Sequence, residues 1–147
     1  MSLSIRIQRI GAVSVPLPSY QTSGSAGLDL YAALPQAIAL SPGSRHLVPT
    51  GLAFEIPPGF EGQVRPRSGL ALKQGLSIVN APGTIDSDYR GEVAVVLINH
   101  GSETITIKPQ DRMAQLVIAK VERAELVLVE TLEETERGTG GYGSTGQ

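Results

Sequence analysis

The feature that most constrains this chain is its punctuation: short apolar runs, each closed by a turn signal rich in glycine or proline. "LSIRIQRI", "AGLDLYAA", "AIAL", "HLVPTGLAFEI", "GLSIV", "EVAVVLINH", "ETITI", "MAQLVIAKV" and "AELVLVE" alternate with "LPSYQTSGS", "SPGS", "PPGFEG", "NAPGT", "NHGS" and "KPQD". Seventeen glycines and ten prolines in 147 residues leave little room for long helices. In "LSIRIQRI", Leu3, Ile5 and Ile7 fall on one side with polar residues between them, the period-2 pattern of a half-buried strand. Strands at this spacing predict an all-β barrel or sandwich. One segment departs from the pattern. "RSGLALKQG" offers Ser68 as an N-cap, the helix-favouring "LALK" and Gly75 as a stop, which predicts a short helix within the β fold.

A chain of 147 residues suits a single domain with its own core. Hydrophobic residues at 41% and charged residues at 18% are the proportions of a folded globular protein. A net charge of −2 argues against nucleic-acid binding through a basic surface. Cysteine is absent, which excludes disulfides, a thiol nucleophile and thiolate metal sites. No run approaches the ~18 apolar residues of a membrane span. "MSLSIRIQRI" has no apolar core or cleavage site of a signal peptide, so a cytoplasmic location is expected. Aromatic residues make up only 4% and tryptophan is absent. Part of the stability is therefore expected from association, with faces such as "VAVVLI" buried between subunits.

Five stretches carry chemistry. In "RPRSGLA", a guanidinium fork, a hydroxyl and free N–H groups at a helix start would hold an anion, and Gly69 would let a phosphate approach. Taken alone, the motif reads more simply as an ordinary helix cap beside a surface arginine. "NAPGTIDSDYRGEV" reads as a β-hairpin in which Asp86 is partly shielded beside Ile85, making it the best general-base candidate. Asp86 and Asp88 would alternatively serve only as turn formers. Neither His46 nor His100 sits in a comparable polar cluster. In "SAGLDLYAA", Asp29 lies in an apolar strand and must have a partner or a metal. A lone carboxylate there would hold magnesium through water while a ligand's phosphates bind the ion directly. "QDRMAQLVI" contributes Gln115, suited to aligning a water or phosphate oxygen, and Arg112, suited to pairing with a neighbouring carboxylate. The end of the chain, "RGTGGYGSTG", sets Arg137, Tyr142, Ser144 and Thr145 among glycines, after the acidic connector "VETLEETERG". Such a composition does not hold structure alone, but it suits ligand-binding groups on a mobile strap.

Taken in order, "SAGLDLYA", "RPRSGLA", "NAPGTIDSDYRGE", "DRMAQLVI" and "RGTGGYGSTG" resemble the five motifs of the homotrimeric dUTPases, deoxyuridine triphosphate nucleotidohydrolases. The likeness runs from about Leu3 to Gly146, and its third and fifth motifs are the most specific. The family's usual phenylalanine in the fifth motif is Tyr142 here, which keeps a stacking face and adds a hydroxyl.

The resemblance implies a jelly-roll-type β-barrel over residues 1–130 and a flexible arm over 131–147 that closes over an active site. It implies a homotrimer with active sites at subunit interfaces. The implied reaction is hydrolysis of dUTP to dUMP and pyrophosphate by attack of water on the α-phosphorus. That would limit uracil incorporation into DNA and supply dUMP for thymidylate synthesis. By the same resemblance Arg67, Ser68 and Gly69 hold phosphate, and Asn80, Gly83, Thr84, Ile85 and the backbone of Ala94 read the uracil edge. Tyr89 stacks under the deoxyribose and excludes a 2′-hydroxyl. Arg137, Ser144 and Thr145 reach the terminal phosphate, and Tyr142 covers the base. Asp86 is the general base, Gln115 orients the attacking water, and Asp29 holds the water shell of Mg²⁺. Two rival readings are a dCTP deaminase and a non-catalytic nucleotide-binding regulator. The deaminase would require a glutamate at the base, whereas Glu92 lies past the hairpin turn.

Overall fold

The turn signals divide the chain into eleven strands and one short helix in the computed structural model, which describes residues 3–143 and 146. In order these are β1 (Arg6–Arg9), β2 (Gly27–Tyr31), β3 (Ile38–Leu40), β4 (Arg45–Pro49), β5 (Leu52–Glu55), β6 (Phe60–Arg65), α1 (Ser68–Gln74), β7 (Leu76–Ile78), β8 (Gly83–Ile85), β9 (Ala94–Asn99), β10 (Ile105–Ile107) and β11 (Arg112–Lys120). The chain is all-β apart from α1, as the strand spacing predicts. Every pairing is antiparallel. The strands form a four-stranded sheet β2-β11-β6-β8, a three-stranded sheet β4-β9-β7, and two-stranded sheets β1-β5 and β10-β3, rather than one closed ring of hydrogen bonds.

One apolar core joins these sheets. Leu30 of β2, Val48 of β4, Leu52 of β5, Leu97 of β9 and Leu116 of β11 are all but inaccessible to solvent. The period-2 alternation explains it: Val93, Val95 and Leu97 point inward, while Ala94, Val96 and Ile98 between them are half-buried. "VAVVLI" therefore packs one face into its own chain's core and leaves the other only partly covered. Among the described residues no helix is long and apolar enough to cross a membrane.

The fold departs from expectation in five places. "FEGQVR" is strand β6, although the sequence places a turn over its start; Phe60, Gly62 and Val64 do alternate, but a glycine and two polar residues mask the pattern. "AELVLVE" is not a strand, because among the described residues no other strand lies beside it, and its side chains are exposed. β1 is exposed throughout and held to β5 by its register Arg6↔Glu55 to Arg9↔Leu52, so only Ile5 just before it packs on the core. The Arg6 side chain donates to Glu55 and holds that carboxyl below its ordinary range. The two arms of the expected hairpin enter different sheets, β8 beside β6 and β9 between β4 and β7. Finally, the N-cap of α1 is Arg67 rather than Ser68 and has no side-chain cap bond, while Gly75 closes the helix in the left-handed conformation at φ 71°.

Candidate functional site

Strand register builds the first cluster. β11 is the middle strand between β2 and β6, and its pairing places Gln115 beside Asp29 on one side and Arg65 on the other. The next residue, Leu116, pairs with Leu28 and Val64 and faces the opposite way, into the core. Asp29, Gln115 and Arg65 thus form one row on the outer face. Chain reversal after β6 lays Arg67 over this row, its Nε 3.3 Å from Asp29 Oδ1 and its Nη1 donating to the Arg112 carbonyl at 3.1 Å. Arg112 Nη1 lies 3.4 Å from Asp29 Oδ2. Asp29 therefore has the partner that a carboxylate in an apolar strand must have, with only 11% of its side chain exposed. Gln115 Nε2 donates to the Pro66 carbonyl at 3.0 Å, which leaves its carbonyl oxygen toward the cavity floor at Gly27.

These residues line a cavity of about 640 Å³ together with Ser68, Gly69 and Lys73. Four cations, Arg65, Arg67, Lys73 and Arg112, face one carboxylate, Asp29. The imbalance suits a polyanion, and it comes from side chains more than from the two-turn helix α1. Arg65 and Lys73 were not singled out from sequence; the signal available was Arg65 two residues before Arg67, on the same side of an extended segment.

A second cavity of about 210 Å³ lies between β8 and the start of β9. Its apolar floor is Val64, Ile78 and Val95, and its rim carries Asn80, Gly83, Thr84, Ile85, Asp86, Tyr89 and Ala94. Every nucleoside-reading residue expected from "NAPGTIDSDYRGEV" therefore meets here. Glu92, passed over in the sequence, lines the cavity as well. Its Oε1 accepts the Gly51 N–H at 2.9 Å. Asp86 and Thr84 also border a third cavity of about 500 Å³ with Phe60, Val121 and Arg123. Asp86 is exposed, so the shielding expected of a general base is not supplied by its own chain: the turn that carries it projects beyond β8.

Among the described residues the first and second cavities share no lining residue. Arg67, Ser68, Gly69, Gln115 and Asp29 are gathered in one, and Asp86 with Tyr89 in the other. Arg137 and Tyr142 line neither of these two cavities; Arg137 Nε instead donates to the Gly140 carbonyl at 2.9 Å, and Tyr142 is fully exposed. Ser144 and Thr145 lie outside the described residues. Among the described residues no three His, Cys, Asp or Glu side chains come together as a metal cage. Asp29 is the acid of the cationic cavity, so a divalent ion there would take its direct ligands from a bound anion.

The family model for dUTPase matches residues 14–146. A deoxyuridine 5′-triphosphate nucleotidohydrolase of Anaeromyxobacter sp. is 61% identical over 149 residues, covering 100% of both chains. One from Methylocella silvestris is 58% identical, covering 98% of this chain and 92% of that protein. Among solved structures, a Staphylococcus bacteriophage 80alpha dUTPase with dUPNHPP superposes with a TM-score of 0.88 at 26% identity, covering 98% of this chain and 99% of that one.

Proposed function

The chain belongs to the dUTPase family, so its reaction is the hydrolysis of dUTP to dUMP and pyrophosphate, and we propose that its two cavities hold opposite ends of one nucleotide and are contributed by different copies of the chain. The observation that carries the proposal is the separation of those cavities: the base-and-sugar pocket with Asp86 and the cationic pocket with Gln115 have no lining residue in common. A homotrimer with its sites between subunits would bring them together. A neighbouring copy would also supply the cover that Asp86 lacks.

In this reading uracil enters the smaller cavity and meets main-chain groups near Gly83, Thr84, Ile85 and Ala94, with Asn80 at the rim. Fixed donors and acceptors match uracil and leave cytosine mispaired. Tyr89 forms the wall against the sugar. Asp86 takes a proton from the water that attacks the α-phosphorus, and Gln115 of the neighbouring copy orients that water or the phosphate. Arg67, Ser68 and Gly69 hold the phosphate chain, and pyrophosphate leaves as the bond to the α-phosphorus breaks. A magnesium ion bound with the triphosphate would offset charge on its oxygens, with Asp29 holding its water shell. Residues 131–147 act as the arm: Arg137, Ser144 and Thr145 engage the terminal phosphate, and Tyr142 covers the base. The proposed setting is cytoplasmic. A deaminase reading is disfavoured because the glutamate at the base pocket, Glu92, is engaged by the Gly51 N–H.

The test is pyrophosphate release from dUTP, dTTP, UTP and dCTP, with and without Mg²⁺, for the native protein and Asp86→Asn. The expected result is release from dUTP alone, and a fall of roughly 10²–10⁴-fold in Asp86→Asn while dUTP binding persists. Near-native turnover in that variant would show the base is elsewhere, and comparable release from UTP would remove the role given to Tyr89.

A further inference from the structure

Between Asp86 and the start of β9 at Ala94 no strand holds the chain, yet this segment carries Tyr89, the sugar wall. Tyr89 is 45% exposed, so packing alone does not fix it. Two hydrogen bonds meet at Glu92. Tyr89 Oη donates to the Glu92 main-chain carbonyl at 2.9 Å, and the Glu92 side-chain Oε1 accepts the Gly51 N–H at 2.9 Å. The tyrosine is thereby tied to Glu92, and Glu92 to the turn between β4 and β5.

That turn is a fixed point of the fold. Thr50 and Gly51 are buried, and the Gly51 carbonyl accepts the Ile10 N–H at 2.8 Å. Thr50 Oγ1 donates to the Val93 carbonyl at 2.6 Å, and the Val93 N–H donates to the Leu52 carbonyl at 2.9 Å. The backbone is thus pinned at Val93, and the Glu92 carboxylate extends the hold one residue nearer the tyrosine. Residue 91 completes the arrangement. A Cβ on Gly91 would stand 2.5 Å from Tyr89 Oη and 2.6 Å from its Cζ, so the ring folds over a position that must lack a side chain.

We propose that Glu92 is a positioning residue for sugar selection: its carboxylate anchors the Tyr89–Glu92 segment to the β4–β5 turn and so sets how closely the ring approaches C2′ of the nucleotide. This rests on the reading of the smaller cavity as the deoxyuridine site. A carboxylate on a backbone N–H is a charge-assisted bond, stronger than a neutral one. Removing it leaves a buried N–H without its acceptor and lets residues 91 and 92 turn, carrying the ring with them.

Steady-state rates with dUTP and with UTP, beside melting temperatures, test this in the native protein, Glu92→Ala, Glu92→Gln and Gly91→Ala. In Glu92→Ala the preference for dUTP over UTP in kcat/KM falls about tenfold or more, chiefly through a higher kcat/KM for UTP as the ring ceases to exclude the 2′-hydroxyl. Glu92→Gln, which keeps an acceptor oxygen, restores most of the preference. Gly91→Ala, which pushes the ring and leaves the bond to Gly51 in place, lowers the preference too. A merely structural glutamate would lower the melting temperature of Glu92→Ala and leave the dUTP:UTP ratio unchanged; that outcome overturns the proposal. Native protein that hydrolyses UTP as readily as dUTP would instead sink the reading of the cavity itself.

Discussion

Gln115 keeps its amide in the cationic cavity because residue 27 has no side chain. A Cβ on Gly27 would run into Gln115 Oε1 and stand 3.2 Å from its Cδ. Chiefly the end of a flexible side chain would have to move, with Gln115 Cβ at 3.3 Å giving slightly, so Gly27→Ala is expected to fold with little change in stability, within about 1 kcal/mol. Turnover is a different matter, since displacing a group that aligns a reacting atom by ~1 Å costs up to about a hundredfold. Measuring kcat and melting temperature together checks this; a native kcat in Gly27→Ala would show that Gln115 does not align the reaction. At this scale the sequence spoke unevenly. Pairing of Arg112 with a carboxylate was readable, because Asp29 in an apolar strand had to find a cation. The exposure of Asp86 was not, because the hydrophobic neighbour Ile85 points to the opposite face and shields nothing. Glu92 was misplaced for a related reason: sequence distance from the turn hid that its side chain folds back toward Gly51.

Elements are joined by buried polar groups at their ends, and Asn99, the last residue of β9, is the most heavily used. Its Nδ2 donates to the Leu40 carbonyl of β3 at 2.8 Å and to the Glu103 carbonyl at 2.7 Å, and its Oδ1 accepts the Gly101 N–H at 2.8 Å. The residue has no solvent exposure. Its neighbour His100 donates its N–H to the Gly75 carbonyl at the end of α1, at 2.8 Å. One side chain therefore ties the sheet β10-β3 to β9, beside the contact that docks α1. Asn99→Ala leaves the buried Leu40 carbonyl and two partly buried groups, the Glu103 carbonyl and the Gly101 N–H, without this partner, and is expected to cost about 2–3 kcal/mol in urea unfolding. Asn99→Asp should cost more, because an acceptor-only carboxylate would face two carbonyls. A loss below ~0.5 kcal/mol in Asn99→Ala would show that water replaces these bonds. Most strands were legible because alternation and turn signals act locally. β6 escaped because Gly62 stands where a branched residue would mark the strand. The strand expected at "AELVLVE" has the right pattern but no partner in its own chain, and pairing is a property of two segments rather than one.

That unpaired stretch and the divided site make the same demand on the whole molecule. Leu126 and Leu128 are 93% and 99% exposed on an extended segment, which a single soluble chain does not ordinarily display in sequence. Asp86 and Gln115 lie on separate cavities, although the proposed mechanism uses both. A second copy answers both, and a mixing experiment decides whether it does. Asp86→Asn and Gln115→Ala are each expected to be nearly inactive alone. If Asp86 of one chain works with Gln115 of another, co-refolding the two variants in equal amounts creates sites that draw an intact Asp86 from one variant and an intact Gln115 from the other. Random assembly gives such a pairing in about a quarter of the sites, whatever the size of the closed ring. Activity should therefore return to about a quarter of the native level and stay absent when the variants are kept in separate oligomers. If each chain built its site alone, every site would carry one of the two lesions and mixing would restore nothing. The two arrangements thus differ by the whole of the recovered signal.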